Sequence, residues 1–182
     1  GRRGLKRALI TGGAGFIGSA LVRRLMDEGV VVRILDDFST GRRSNLSAIE
    51  GRIRVHRGDV RDPRAVTDAV RGVDAVFHLA AVASVQQSIM APARTHAVNV
   101  GGTLELLEAA RGAGVPRVVL ACSAAAYGAN PALPLSEDEA SAPISPYGLH
   151  KLMCEQLGAL YTAERGLDVV ALRFFNVYGP RQ

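Results

Sequence analysis

Thr11-Gly12-Gly13-Ala14-Gly15-Phe16-Ile17-Gly18 reads as the end of a strand, a glycine-rich turn and the opening of a helix. Gly12 permits the tight turn, Gly15 lets backbone N–H groups approach a pyrophosphate at the helix N-terminus, and Gly18 allows close helix packing. The apolar run Arg7 to Thr11 before it has strand length, and Phe16 to Glu28 after it has helical periodicity. The next apolar run, Val30 to Asp36, ends in a carboxylate 18 positions beyond Gly18. There a carboxylate accepts hydrogen bonds from the adenosine ribose. It also repels a 2′-phosphate, which favours NAD over NADP, although Arg33, Arg42 and Arg43 are near enough in sequence to leave NADP open. The alternative reading is of glycines that merely make a turn.

Outward from this unit, short apolar runs alternate with helical stretches to the end of the chain. That alternation predicts an α/β fold with a doubly wound parallel sheet. Expected strands are Arg7 to Thr11, Val30 to Asp36, Ile53 to Arg57, Ala75 to Ala80, Val118 to Ser123 and Val169 to Phe175, apolar on both faces as covered parallel strands are. Expected helices are Phe16 to Glu28, Pro63 to Arg71, Ala93 to Ala113 and Pro146 to Arg165. Pro63 and Pro146 suit the first helical turn, and Gly29, Gly72, Gly114 and Gly166 suit helix stops. The long irregular segment Ala124 to Ser145 holds Pro131, Pro134 and Pro143, and a loop of that length is usually functional. With 182 residues, 48% hydrophobic and 21% charged, the expectation is a single nucleotide-binding domain over 1–182 with its own core.

The same composition excludes several classes. No apolar run approaches the roughly 18 to 20 residues of a membrane span. Gly1 to Arg7 is charged, but the apolar piece after it runs straight into glycines, so no secretory signal is expected. Cys122 and Cys154 lack any disulfide-framework or zinc spacing, which fits a reducing cytoplasm and a site without metal. A net charge of +5 raises the question of nucleic acid, yet the cations are spread along the chain and aromatics are 5%, so no nucleic-acid partner is expected.

Tyr147 and Lys151 are four apart in an expected helix, hence on one face, in a chain with few of either residue. An ammonium beside a phenol favours its ionised form, so Tyr147 can act as a base. Ser123 ends the fifth strand at the ligand-binding edge of the sheet, where its hydroxyl can hold a substrate oxygen; a strand-end turn residue is the alternative. Asp59 follows the third strand, where it either meets the adenine edge or caps the helix that begins at Pro63.

With these pieces in order, the chain resembles the extended short-chain dehydrogenase/reductase family of NAD-dependent sugar-nucleotide epimerases and dehydratases. The matching motifs run from Thr11–Gly18 through Leu35–Gly41, Gly58-Asp59-Val60, Phe77-His78-Leu79-Ala80-Ala81, Asn99–Thr103, Ser123–Gly128 and Tyr147-Gly148-Leu149-His150-Lys151 to Arg173–Pro180. The resemblance implies NAD contact by Gly12, Gly15, Phe16, Ile17, Gly18, Asp36, Asp59, Val60, Leu79, Ala80, Ala81 and Lys151. Asn99 is implied in the same site, in a supporting role beneath it. Tyr147 is implied as acid/base with Ser123 as its partner, and Asn176 as a contact to the sugar nucleotide. Ser84, Gln86 and Ser88 follow the fourth strand and are expected to face the sugar. The helices Ala93 to Ala113 and Pro146 to Arg165 resemble the pair that forms a four-helix homodimer contact in the family.

The family's dehydratases and decarboxylases follow the hydroxyl residue with carboxylates, or with a glutamate two positions on; here those positions are Ala124 and Ala125. Methyl groups transfer no protons, so the resemblance points to epimerisation at carbon 4 of a UDP-hexose. His150 stands where the family usually has serine, and is read as a helix-surface histidine. In the family, further chain after the Gly179-Pro180 motif closes over the sugar nucleotide, so a largely missing substrate lobe is expected here. A module that binds NAD without turnover, and a dehydratase or other oxidoreductase of the same fold, stay open beside the epimerase.

Overall fold

The computed structural model describes residues 4–131, 133–180 and 182. The start of the charged stretch read above for a leader, residues 1–3, lies outside them, as does Ala132 in the long irregular segment. Six strands, β1 (Arg7–Thr11), β2 (Val31–Asp36), β3 (Arg54–Arg57), β4 (Ala75–His78), β5 (Arg117–Ser123) and β6 (Asp168–Phe174), form one sheet in the order β3-β2-β1-β4-β5-β6. Every pairing is parallel. The crossovers are α1 (Phe16–Asp27), α2 (Pro63–Val70), the short helices α3 (Val85–Met90) and α4 (Pro92–His96), α5 (Gly102–Gly112) and α6 (Pro146–Glu164).

Strand alternation divides the interior into two cores. Leu9 and Leu35 join Val66, Val70, Leu106, Leu107, Leu120 and Tyr161 beneath α2, α5 and α6, whereas Ala8, Ile10 and Ile34 join Val22 and Leu25 of α1 on the opposite face. Successive strand residues point to opposite faces, so a doubly covered strand reads as a continuous apolar run.

β6 departs from that expectation. Val170 and Leu172 are 37% and 42% exposed, because β6 is an edge strand paired only with β5 and nothing among the described residues covers that face. The helix expected over 93–113 also differs: α4 and α5 are joined by a π-helical turn, Ala97–Gly101. Asn99 in this turn bonds the Val82 backbone, and at Gly102 an added Cβ would lie 2.6 Å from Val60 Cγ2, so the wide turn fits the helix to its neighbours. The start of α2 follows from Asp62, whose Oδ1 accepts from Arg64 N–H at 2.9 Å, with Pro63 at the first helical position. Ser145 Oγ does the same for α6, accepting from Gly148 N–H at 3.0 Å.

Candidate active site

The strand order turns back between β1 and β4, and an open parallel sheet binds ligands at such a point, beyond the carboxyl ends of its strands. A cavity of about 1010 Å³ opens there. Gly12, at φ 69°, donates its N–H to Leu35 O at 2.9 Å, and a Cβ on it would lie 2.8 Å from Ala80 N. A Cβ on Gly18 would overlap Gly12 O, so α1 rests directly on the turn. Gly15 is the N-cap of α1 and no side chain caps the helix, which leaves its first-turn N–H groups to an anion in the cavity.

Asp36 is 7% exposed and lines the cavity from the end of β2. Its Oδ2 accepts from Ala14 N–H at 2.9 Å and its Oδ1 from Phe38 N–H at 2.8 Å. Burial pushes its carboxyl up, and those two N–H donors work against the shift. Asp59 and Val60 line the same cavity, but Asp59 is not a helix cap, since Asp62 holds that place. Instead its carboxylate takes the Arg61 backbone N–H at 2.8 Å and both Nε and Nη2 of the Arg61 guanidinium, which holds it below the usual carboxylate range. Among the described residues, Arg61 and Arg94 are the arginines that line the cavity. Arg33, Arg42 and Arg43 do not line it, with Arg33 bonded to Ala69 O and Arg71 O and Arg43 to Glu50.

The other end of the cavity holds the acid/base candidates. Ser123, Tyr147 and Lys151 line it together, with Leu79, Ala80 and Ala81 between them and the glycine turn. Lys151, 7% exposed, donates from Nζ to Ala121 O at 2.6 Å and lies 5.8 Å from the centre of the Tyr147 ring. Ser123 Oγ accepts from Ala125 N–H at 3.1 Å at the start of a 3-10 turn, Ala124–Tyr127. A Cβ on Gly148 would lie 2.6 Å from Ala125 O, so α6 and its tyrosine pack hard against this turn. Asn176 lines the exposed rim.

Four expectations change. Ser84 is not among the cavity-lining residues, because its Oγ caps α3 by accepting from Gln87 N–H at 3.2 Å. Gln86 does not line the cavity either, whereas Gln87 does. Ser88 is buried, and its Oγ accepts from Tyr147 N–H at 3.0 Å, so it anchors the start of α6 and does not face a sugar. His150 is buried rather than on the helix surface: its ring meets His96 edge-on at 5.2 Å, and burial, then His96 and Lys151, pushes its pKa down. Asn99 lies behind the cavity wall, where it holds Val82. Ser88 follows the strand run in the same way as Ser84 does, so spacing alone could not separate anchor from cap.

Residues 8–182 match the NAD dependent epimerase/dehydratase family. The chain belongs to that family. It is 43% identical over 180 residues to the UDP-glucose 4-epimerase of Mycolicibacterium smegmatis, covering 97% of this chain and 58% of that one. The structure of the UDP-N-acetylglucosamine 4-epimerase of Methanobrevibacter ruminantium superposes with a TM-score of 0.93 at 39% identity, over 99% of this chain and 58% of that one. The dTDP-glucose 4,6-dehydratase of Streptomyces venezuelae, solved with NAD, gives 0.92 at 38% identity, over 97% and 57%. This member of the epimerase/dehydratase family thus spans a little over half the length of these relatives. Among the described residues no helix is long and apolar enough to cross a membrane, and no group of three or more His, Cys, Asp or Glu side chains is arranged to hold a metal.

Proposed function

We propose that this chain is the cofactor-binding and proton-transfer half of an NAD-dependent nucleotide-sugar 4-epimerase acting on a UDP-hexose. The observation that carries it is one cavity lined both by the glycine turn with Asp36 and by Ser123, Tyr147 and Lys151. Likeness to an epimerase and a dehydratase at nearly equal TM-scores leaves the reaction to the side chains. The two that follow Ser123 are methyl groups in the 3-10 turn, with no proton to exchange.

The residues fit NAD. The uncapped amides of α1 would receive its pyrophosphate, Asp36 its adenosine ribose, and Asp59 with Val60 its adenine, all of them groups that line the cavity or open onto it. Once bound, NAD supplies hydride acceptance and return at carbon 4 of the sugar. Tyr147 Oη takes the proton of the carbon-4 hydroxyl and gives it back after the keto sugar has turned its other face. Lys151, fixed by Ala121 O, puts a positive charge beside that phenol. Ser123 Oγ already accepts from Ala125 N–H, so its own hydrogen is free to donate to the substrate oxygen. Asn176 contacts the sugar nucleotide at the rim, and Ser84 is left out.

A second reading, NAD binding without turnover by residues 1–182 alone, is favoured by the open face beside β6, where Phe175 and Tyr178 are 61% and 87% exposed. Substrate held by half a pocket is poorly positioned for proton and hydride transfer. We also propose a homodimer through α5 and α6.

Calorimetry with NAD and NADP tests the cofactor site: NAD binds and NADP binds more weakly, whereas equal binding would remove the role given to Asp36. Fusing the C-terminal portion of the Mycolicibacterium smegmatis relative to this chain tests the reaction. The fusion should interconvert UDP-glucose and UDP-galactose, and Tyr147→Phe should lower the rate by at least about 100-fold. Release of a dehydrated or decarboxylated sugar would refute the argument from Ala124 and Ala125.

A further inference from the structure

His78 ends β4 and is buried, with both ring nitrogens partnered: Nδ1 with Thr11 Oγ1 at 2.7 Å and Nε2 with Thr103 Oγ1 at 3.0 Å. The partners determine where each hydrogen lies. Thr103 Oγ1 donates to Asn99 O at 2.6 Å, so toward the ring it can only accept, and Nε2 carries the hydrogen. Nδ1 is then bare and accepts the Thr11 hydroxyl hydrogen. The Thr11 oxygen in turn accepts from Ala80 N–H at 3.2 Å. Every donor runs one way, from Ala80 through Thr11, His78 and Thr103 to the Asn99 carbonyl.

The path closes on itself. The residue whose carbonyl ends the relay also holds Val82 with its side chain, Asn99 Oδ1 accepting from Val82 N–H at 2.8 Å and Nδ2 donating to Val82 O at 3.1 Å, so both ends of the path act on the segment that begins at Ala80. Ala80 and Val82 both line the cavity, whereas Thr11, His78, Asn99 and Thr103 do not.

We propose that His78 is a positioning residue of the dinucleotide site, whose neutral Nε2–H tautomer completes a hydrogen-bonded loop that fixes the backbone of Ala80–Val82 against the bound cofactor. A second ring proton would point a donor at Thr11 Oγ1, which would have to turn its own hydrogen away and break the order. Burial, with the Lys151 ammonium acting in the same direction, pushes the His78 pKa down to about 3, so the ring stays neutral across the physiological range. The other titratable group at the relay is the Cys154 thiol, 3.4 Å from Thr103 Oγ1, and burial keeps it protonated. The link to the cofactor rests on the NAD reading above; the relay itself does not.

Nitrogen-15 NMR of the imidazoles reads the tautomer directly. His78 should show a protonated Nε2 and a bare Nδ1, unchanged from pH 8 to pH 5, and a protonated Nδ1 or a titration near 6.5 would overturn the relay. Thr103→Val removes one link without touching the cavity, and Thr103→Ser keeps the hydroxyl. Amide exchange at Ala80 and Val82 should accelerate in the valine variant and return to the wild-type rate in the serine variant. NAD affinity should fall roughly tenfold in the first and recover in the second. Unaltered exchange in Thr103→Val overturns the proposal. A wild-type chain that binds no NAD overturns the cofactor reading, while the tautomer and exchange results still decide the relay.

Discussion

Gly18 and Gly112 both lie in helices, yet an added methyl group meets opposite surroundings at the two positions. At Gly18 it would overlap Gly12 O and come within 2.9 Å of Gly13 Cα, whereas at Gly112 nothing lies within 4 Å. Gly18→Ala should therefore lower stability by about 2 kcal/mol or more, with loss of NAD binding as the turn is pushed away from α1. Gly112→Ala should raise stability by about 0.5 kcal/mol, through the smaller freedom of the unfolded chain. Urea melts of the two variants check both signs. The glycine spacing was legible because close backbone approach excludes every other residue type. Asp59, which lines the same cavity as Gly18, was half legible: its carboxylate was evident, but its clamp by Arg61 needs a side-chain geometry that spacing does not contain.

At the scale of elements, α6 carries Tyr147 and Lys151 on one face and is tied to β6 by Arg173. The Arg173 guanidinium donates from Nε and Nη2 to Glu155 at 2.9 Å each, reaches Ser141 Oγ at 3.1 Å, and stacks 4.4 Å from the Tyr127 ring centre. Both side chains of the pair are mostly buried. Arg173→Lys keeps the charge but loses the planar fork, so it should destabilise by about 1–2 kcal/mol in denaturant melts. A change within error would mean that a point charge suffices there. Strands and helix starts were readable from apolar runs, prolines and glycines. The π-helical turn at Ala97–Gly101 was not, since it answers to Val82 and Val60, partners brought in from other parts of the chain.

For the molecule as a whole, burial of histidine sets the response to acid. His78 has a folded-state pKa of about 3 against 6.5 when unfolded, so between these values the unfolded chain binds a proton that the folded chain does not. Stability is therefore lost as pH falls below about 6.5, at about 1.4 kcal/mol per pH unit from this residue, and the downward shifts at His56 and His150 act in the same direction. Thermal melts at pH 7.5 and pH 5 should show a lower melting temperature in acid, and a higher one would contradict the burial argument. Association belongs to the same scale. Leu104 of α5 and Leu149 and Leu160 of α6 are 41%, 47% and 51% exposed, so the proposed dimer would bury them. Light scattering at micromolar concentration should give a dimer, reduced to monomer by Leu149→Glu with Leu160→Glu; a wild-type monomer would sink the dimer.

The sequence by itself determined the α/β alternation, the glycine turn, Asp36 and the Tyr147–Lys151 spacing. Each of these rests on local rules: backbone sterics, a two-residue strand period, or a helical turn between neighbours on one face. What only the tertiary structure decided is which polar side chains serve the cavity and which serve the fold. Ser84 and Ser88 lie four apart after the same strand, yet one caps α3 and the other anchors Tyr147 N–H, because the partner of the second comes from 59 residues away. The direction of the His78 relay likewise depends on Thr11, Asn99 and Thr103, which meet His78 only when β1, β4, the π-helical turn and the start of α5 have packed together. A hydroxyl or an imidazole can donate or accept, and only the groups that folding brings against it fix which it does.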